Sequence, residues 1–187
     1  YLWIGARTVA NPYLVKEICN ELKGKDVCVM IKNPINPDIR LWTSAINRVK
    51  DAGIKTIFAI HRGFSTYSKS PYRNMPLWEI PIELKRLMPE IKIICDPSHI
   101  CGKTACIKEI SQKALDLEMH GLMIEAHYNP KIAKSDANQQ LTPKQLKELI
   151  DSLKFRSEKE LEDNLLENLR KEIDCIDDQL LETLSRR

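Results

Sequence analysis

Five times in its first 154 residues the chain repeats one plan: a short apolar run, a polar loop, then a stretch with helical spacing. The runs are LWIGA, VCVMI, TIFAIH, KIICDPS and GLMI, and they lead into Arg7, Lys32, Arg62, His99 and Glu125. The repeats span approximately residues 2–24, 27–51, 56–88, 92–119 and 121–154, lengths that fit βα units. Parallel strands alternating with helices bind ligands beyond the strands' carboxyl ends. The pattern therefore aims five cationic or metal-ligating side chains into one mouth.

The helical stretches carry the expected marks. Ile39, Trp42, Ile46 and Val49 recur at steps of three and four, as do Ile107, Ile110, Ala114 and Leu117. Asn11-Pro12, Asn36-Pro37 and Thr142-Pro143 each pair a capping side chain with a proline suited to a first helical turn. Gly24 and Gly53 stand where helix C-caps belong. Five units leave two architectures open: a doubly wound open sheet, or the second part of a (β/α)8 TIM barrel whose first three units lie upstream. Ligand-bearing residues on five consecutive strands favour the barrel, because an open sheet concentrates its site at one switch point.

Composition sets outer limits. With 43% hydrophobic and 29% charged residues the chain reads as a soluble globular protein, without a membrane-length apolar run or a signal peptide. Its six cysteines (Cys19, Cys28, Cys95, Cys101, Cys106, Cys175) form no CxxC pair and lie mostly in strands and helices, which points to a reduced cytoplasmic interior. Net charge is +7 over residues 1–150 and −4 over 151–187. A mildly basic first part suits small anionic substrates, whereas nucleic-acid surfaces carry denser basic clusters with interleaved aromatics. The chain lacks an initial Met and ends at Arg186-Arg187 within a helical pattern, which reads as a segment of a longer protein.

Arg7, Lys32 and Arg62 each stand at the rim of an apolar run, where a charge needs a counter-ion or a ligand. With few acids nearby in sequence, the three suit a substrate that bears phosphate and carboxylate. His99, Glu125 and Asp136 form a second set, one imidazole and two carboxylates, able to coordinate a divalent ion and leave positions for substrate. Spacing alone also allows structural roles for these three. His127 suits a supporting or substrate-contacting role, while Cys101 reads as incidental and His61 and His120 as structural or surface residues. Lys103 in CGKT lacks the glycine framework of a P-loop.

The ordered motifs IGART, IKNP, HRG, DPSH followed by Gly102, EAH and SDANQQLT resemble the second part of 3-deoxy-D-arabino-heptulosonate 7-phosphate (DAHP) synthase over residues 1–154. They look most like the subfamily related to 3-deoxy-D-manno-octulosonate 8-phosphate synthase. The resemblance implies condensation of phosphoenolpyruvate with erythrose 4-phosphate, the entry step to the aromatic amino acids. It implies that Arg7, Lys32 and Arg62 hold phosphoenolpyruvate, that Lys32 and His99 are catalytic, and that His99, Glu125 and Asp136 bind a divalent ion (Mn, Fe, Zn or Co). The family's cysteine metal ligand and its Lys-Pro-Arg-Thr loop belong upstream of Tyr1, so this segment alone is expected to be incompetent. The competing readings are condensation with arabinose 5-phosphate and a non-catalytic effector-binding or assembly protein.

Past residue 154 the pattern changes. Residues 155–163 read as a charged linker, and Leu166, Leu169, Ile173, Ile176, Leu180 and Leu184 then follow coiled-coil-like spacing. LENLRKEIDCIDDQLLETLSRR, within residues 164–187, resembles the first helix of the all-helical chorismate mutases. That resemblance implies that Arg170 and Arg187 bind the carboxylates of chorismate or prephenate, in a fused module that is catalytic, feedback-regulatory or both. An amphipathic tail and exposed barrel flanks imply a homo-oligomer.

Overall fold

The computed structural model describes residues 1–67 and 69–155, together with Ile173, Ile176 and Asp177. Residues Tyr1–Leu153 form one compact unit. Its strands are β1 (Leu2–Ile4), β2 (Cys28–Lys32), β3 (Thr56–His61), β4 (Lys92–Cys95) and β5 (Gly121–Leu122). Between and after them come α1 (Ala6–Val9), α2 (Pro12–Leu22), α3 (Ile39–Asp51), α4 (Glu79–Leu87), α5 (Pro97–Cys101), α6 (Ile107–Asp116) and α7 (Pro143–Ser152).

All neighbouring strands pair in parallel, in the order β1-β2-β3-β4-β5. A doubly wound sheet reverses its order at a switch point; a barrel adds each strand beside the last. The sequential order decides for the barrel-type arrangement, here five consecutive strands with their helices.

The register explains what the sheet buries. Successive side chains point to opposite faces. Ile4, Ile31, Ala59 and Ile93 line up across the sheet on one face, and each is almost or entirely buried beneath the helices. Trp42 of α3 joins that layer, fully buried, its indole N–H donating to the Ile31 carbonyl at 3.1 Å. Trp3, Met30, Phe58 and Ile94 occupy the other face and are only partly covered or exposed. Lys32, Arg62 and Asp96 share the parity of that second face, at the carboxyl end of its strands.

Two of the three expected caps hold. Asn11 accepts from the Tyr13 and Leu14 amides, and Thr142 forms a reciprocal capping box with Gln145. The third needs correction: α3 is capped by Asp38, which accepts from the Arg40 and Leu41 amides, so Asn36-Pro37 lies outside the helix. Gly24 and Gly53 follow α2 and α3 with φ of +78° and +85°, as helix-ending glycines do. Among the described residues, no helix is long and apolar enough to cross a membrane. Of the expected mutase-like helix, only Ile173, Ile176 and Asp177 are described, all exposed; Arg170 and Arg187 lie outside the described residues.

Candidate active site

At the carboxyl end of the sheet opens a cavity of about 550 Å³, lined by Arg7, Lys32, Arg62, Arg73, His99 and Asp136 among others. Arg7 comes from α1, the short helix after β1, rather than from the strand tip. Lys32 ends β2, and its Nζ lies 3.1 Å from Asp96 Oδ2, a carboxylate only 1% exposed. Lys32 thus has the acidic partner that the sequence did not suggest for it.

Arg62 is held differently. Its backbone N–H donates to Asn33 Oδ1 at 2.7 Å, and its Nη1 donates to Asn74 Oδ1 at 3.0 Å. Asn33 is fully buried and donates in turn to the Pro34 and Gly63 carbonyls. Neutral amides orient this guanidinium without cancelling its charge. Burial pushes the Arg62 pKa down, Asp96 opposes that, and the nearby Arg73 and Arg7 add to the lowering. A cavity whose cations disfavour one another gains most from an anionic guest.

The metal-ligand candidates also come together. Ligand atoms of His99, Glu125 and Asp136 all lie within 4.8 Å of one another, and His99 Nε2 is 3.9 Å from Glu125 Oε1. Donors bound to one ion at about 2.0–2.2 Å sit roughly 3–3.5 Å apart, so shifts of about an ångström or less would close the site. His99 belongs to α5, where Asp96 caps the helix by accepting from the His99 amide at 3.0 Å. Asp96 Oδ2 also lies 2.8 Å from His99 Nδ1, an ion-pair distance without well-formed hydrogen-bond geometry, while Nε2 faces Glu125. A histidine tied to a carboxylate through one nitrogen presents the other to a metal, so these residues fit a divalent ion such as Mn, Fe, Co or Zn. Burial raises the Asp96 carboxyl, but the hydrogen bond and charge of His99 and the charge of Lys32 outweigh it and hold the group below its ordinary value.

Loops place the two acids. β5 is only two residues long, and Glu125 lies three residues beyond it. Its amide donates to Ser98 Oγ and its carbonyl accepts from Leu141, both at 3.0 Å. Asp136 sits at φ +50°, in the left-handed region that Asp and Asn enter more readily than other side chains.

The remaining candidates fall elsewhere. His127 stacks on Tyr128 at 4.6 Å and accepts from the Asn129 amide, outside the group of three ligands. His61 has the helix-facing parity and is fully buried against Phe64 and Trp78, with no well-formed hydrogen bond to either ring nitrogen. Burial lowers its pKa to about 3, Asp96 opposing and Arg62 assisting. His120 accepts from the Ile93 amide near the start of β4. Cys101 is buried with its thiol pushed up by burial, and Lys103 is exposed.

Sequence reasoning missed Asp96, Arg73 and Gln139, together with the amides Asn33 and Asn74 that hold Arg62. Arg73 Nη1 donates to Asp136 Oδ1 at 2.7 Å and to Gln139 Oε1 at 2.9 Å, and Gln139 Nε2 donates to Glu125 Oε2 at 2.8 Å. Asp96 and Gln139 stand within motifs already noted, DPSH and SDANQQLT, while Arg73 lies in a loop without any apolar run to mark it.

Comparison with known proteins agrees with the fold. The sequence model of the DAHP synthetase I family matches residues 1–161. A phospho-2-dehydro-3-deoxyheptonate aldolase of Thermotoga maritima is 27% identical over 151 residues, covering 81% of this chain and 43% of the relative. A truncated 3-deoxy-D-arabino-heptulosonate 7-phosphate synthase from Thermotoga maritima superposes with a TM-score of 0.68 at 25% identity, over 80% of this chain and 55% of that one. A second structure, of the Thermotoga maritima aldolase, gives the same TM-score and identity over 43% of its length. The chain thus spans about half the length of the relatives it matches.

Proposed function

The chain belongs to the DAHP synthetase I family, and from that premise we propose that it supplies the second part of a barrel that condenses phosphoenolpyruvate with erythrose 4-phosphate. The observation that carries this reading is the shared cavity: Arg7, Lys32, Arg62 and Arg73 line the same space as His99 and Asp136. Arg7, Lys32 and Arg62 bind the phosphate and carboxylate of phosphoenolpyruvate, with Arg62 offering a guanidinium whose charge is not cancelled by its amide partners. A divalent ion held by His99, Glu125 and Asp136 would polarise the sugar aldehyde.

In the reaction, C3 of phosphoenolpyruvate forms a bond to the aldehyde carbon, whose oxygen becomes a hydroxyl by taking up a proton. Water adds at C2, and inorganic phosphate then leaves by cleavage of the C2–O bond. Positive side chains fixed where negative charge gathers supply the main electrostatic stabilisation. Asp96 fixes the Lys32 ammonium at the rim of the cavity.

The test follows loss of phosphoenolpyruvate absorbance on adding erythrose 4-phosphate and Mn²⁺ to the full-length protein. Turnover that disappears with a chelator and with His99→Ala is the expected result. Consumption of arabinose 5-phosphate alone would replace the assignment with the octulosonate enzyme, and no turnover with either sugar would overturn it.

For the tail we infer a domain division at residues 1–154, 155–163 and 164–187, the last supplying the first helix of a chorismate mutase-like module in a cytoplasmic homo-oligomer. Its support is the LRxxID pattern, with Arg170 and Arg187 as the carboxylate-binding residues. Formation of prephenate from chorismate, lost in Arg170→Ala, is the expected outcome. Unchanged synthase feedback together with no mutase activity would remove the module's role.

A further inference from the structure

We propose that Arg73 and Gln139 form a clamp that chooses which oxygen of each carboxylate faces the divalent ion, making both of them positioning residues. The inference rests on the metal-site reading above. Gln139 is a side-chain amide only 1% exposed, in the turn that follows Asp136. Its Oε1 receives the Arg73 guanidinium at 2.9 Å, and its Nε2 donates to Glu125 Oε2 at 2.8 Å. A donor at one end and an acceptor at the other fix the amide's orientation.

The consequence lies in the atoms left over. Glu125 Oε2 is taken by Gln139, so Oε1 is the oxygen presented to His99 Nε2, 3.9 Å away. Asp136 Oδ1 is taken by Arg73 at 2.7 Å, which leaves Oδ2. Each acid then offers the ion one oxygen, and coordination positions remain for substrate and water. Without the clamp, both carboxylates would be free to turn and chelate through two oxygens.

The clamp is also built onto the element that carries the third ligand. The Arg73 amide donates to the Cys101 carbonyl at 3.4 Å and the Asn74 amide to that of Ile100 at 3.1 Å. Asn74 Nδ2 donates to the His99 carbonyl at 2.7 Å. Arg73 packs so closely over Gly102 that a β-carbon there would come within 2.6 Å of Arg73 Cβ. Arg73 therefore stands between α5, both acids and the anion-binding cavity that it helps to line.

The experiment is Mn²⁺ binding to the metal-free, full-length protein, measured by titration calorimetry for native, Arg73→Met, Arg73→Lys, Gln139→Leu and His99→Ala proteins. Loss of such supporting contacts typically weakens metal binding about 10–100-fold. Arg73→Met and Gln139→Leu are each expected to fall in that range, with Arg73→Lys losing less because it keeps a charged donor. The double variant Arg73→Met/Gln139→Leu should lose little beyond the worse single variant, since the two act in series. The melting temperature of metal-free Arg73→Met should stay close to native, because its side chain is half exposed. Should Gln139→Leu fail to fold, Arg73→Met decides. Mn²⁺ affinity unchanged by Arg73→Met, while His99→Ala abolishes binding, overturns the clamp alone. Native protein that binds no Mn²⁺, or His99→Ala that binds it normally, overturns the metal site and the clamp together.

Discussion

One buried carboxylate joins the two halves of the site: Asp96 pairs with Lys32 on the anion side and with His99 on the metal side. Asp96→Asn tests that link cleanly, because an asparagine can still cap α5 while the charge is lost. Lys32, little exposed, would lose its counter-ion, and stability should fall by about 3 kcal/mol in denaturant unfolding. An amide turned toward Nδ1 also permits the imidazole to place its proton on Nε2, so Mn²⁺ affinity should fall by about tenfold or more. His61 gives a prediction of a different kind. Its pKa is lowered from 6.5 to about 3 in the folded chain. Between those values the unfolded chain binds a proton there that the folded chain does not, so stability falls as pH falls through the window. His61→Phe should flatten that limb of a stability-versus-pH curve by up to about 1.4 kcal/mol per pH unit. A limb as steep as in the native protein would show that His61 does not titrate this way. Asp96 acts lower on the scale, its contribution being present above the unfolded aspartate value near 3.9 and lost as pH falls through its depressed folded value.

Legibility changed with the kind of element. Strands and long helices were readable because burial imposes a period: Trp42, Ile46 and Val49 sit at helical spacing and are all fully buried. The residues at the strand ends were readable because a charge beside an apolar run needs a reason. Loops impose no such period. Arg73 and Asn74 lie between β3 and α4, and Gln139 is a neutral amide in a single turn, so their partners are fixed only by tertiary placement. The cap of α3 was misplaced for a related reason: Asn36-Pro37 and Asp38 both satisfy the local rule, and packing chose the later start. Two substitutions probe this level. Gly63 has φ +75°, and a β-carbon would come 2.9 Å from the Asn74 side chain and carbonyl, so Gly63→Ala must displace the residue that orients Arg62. Losing one hydrogen bond to a charged group, about 1.4 kcal/mol, should raise KM for phosphoenolpyruvate about tenfold. An unchanged KM would mean that Asn74 is not needed to aim Arg62. Thr142→Ala removes the capping box of α7, away from the ligands, and should cost about 1 kcal/mol in unfolding with KM and kcat retained.

At the scale of the molecule, strand order carries information that the repeat alone does not. Period and length permit either architecture; five parallel strands in sequential order suit a barrel sector. The second face of this sheet is only partly covered, and Trp3 on that face is 60% exposed. β1 pairs only with β2 and β5 only with β4, so among the described residues both outer strands keep an unpaired side. Unpaired edges invite pairing with another chain, and a partly apolar open face adds to that tendency. Residues 1–155 expressed alone should therefore associate through these edges, with light scattering giving a mass above one chain. Adding, as a separate polypeptide, the part of a relative's barrel that this chain does not cover should compete with that self-association, since it would occupy the same edges and face. A monodisperse monomer of residues 1–155, with a cooperative melting transition and no response to the added segment, would show that the five-strand sector satisfies its own edges. The cations and metal ligands on its rim would then form a site within this sector alone.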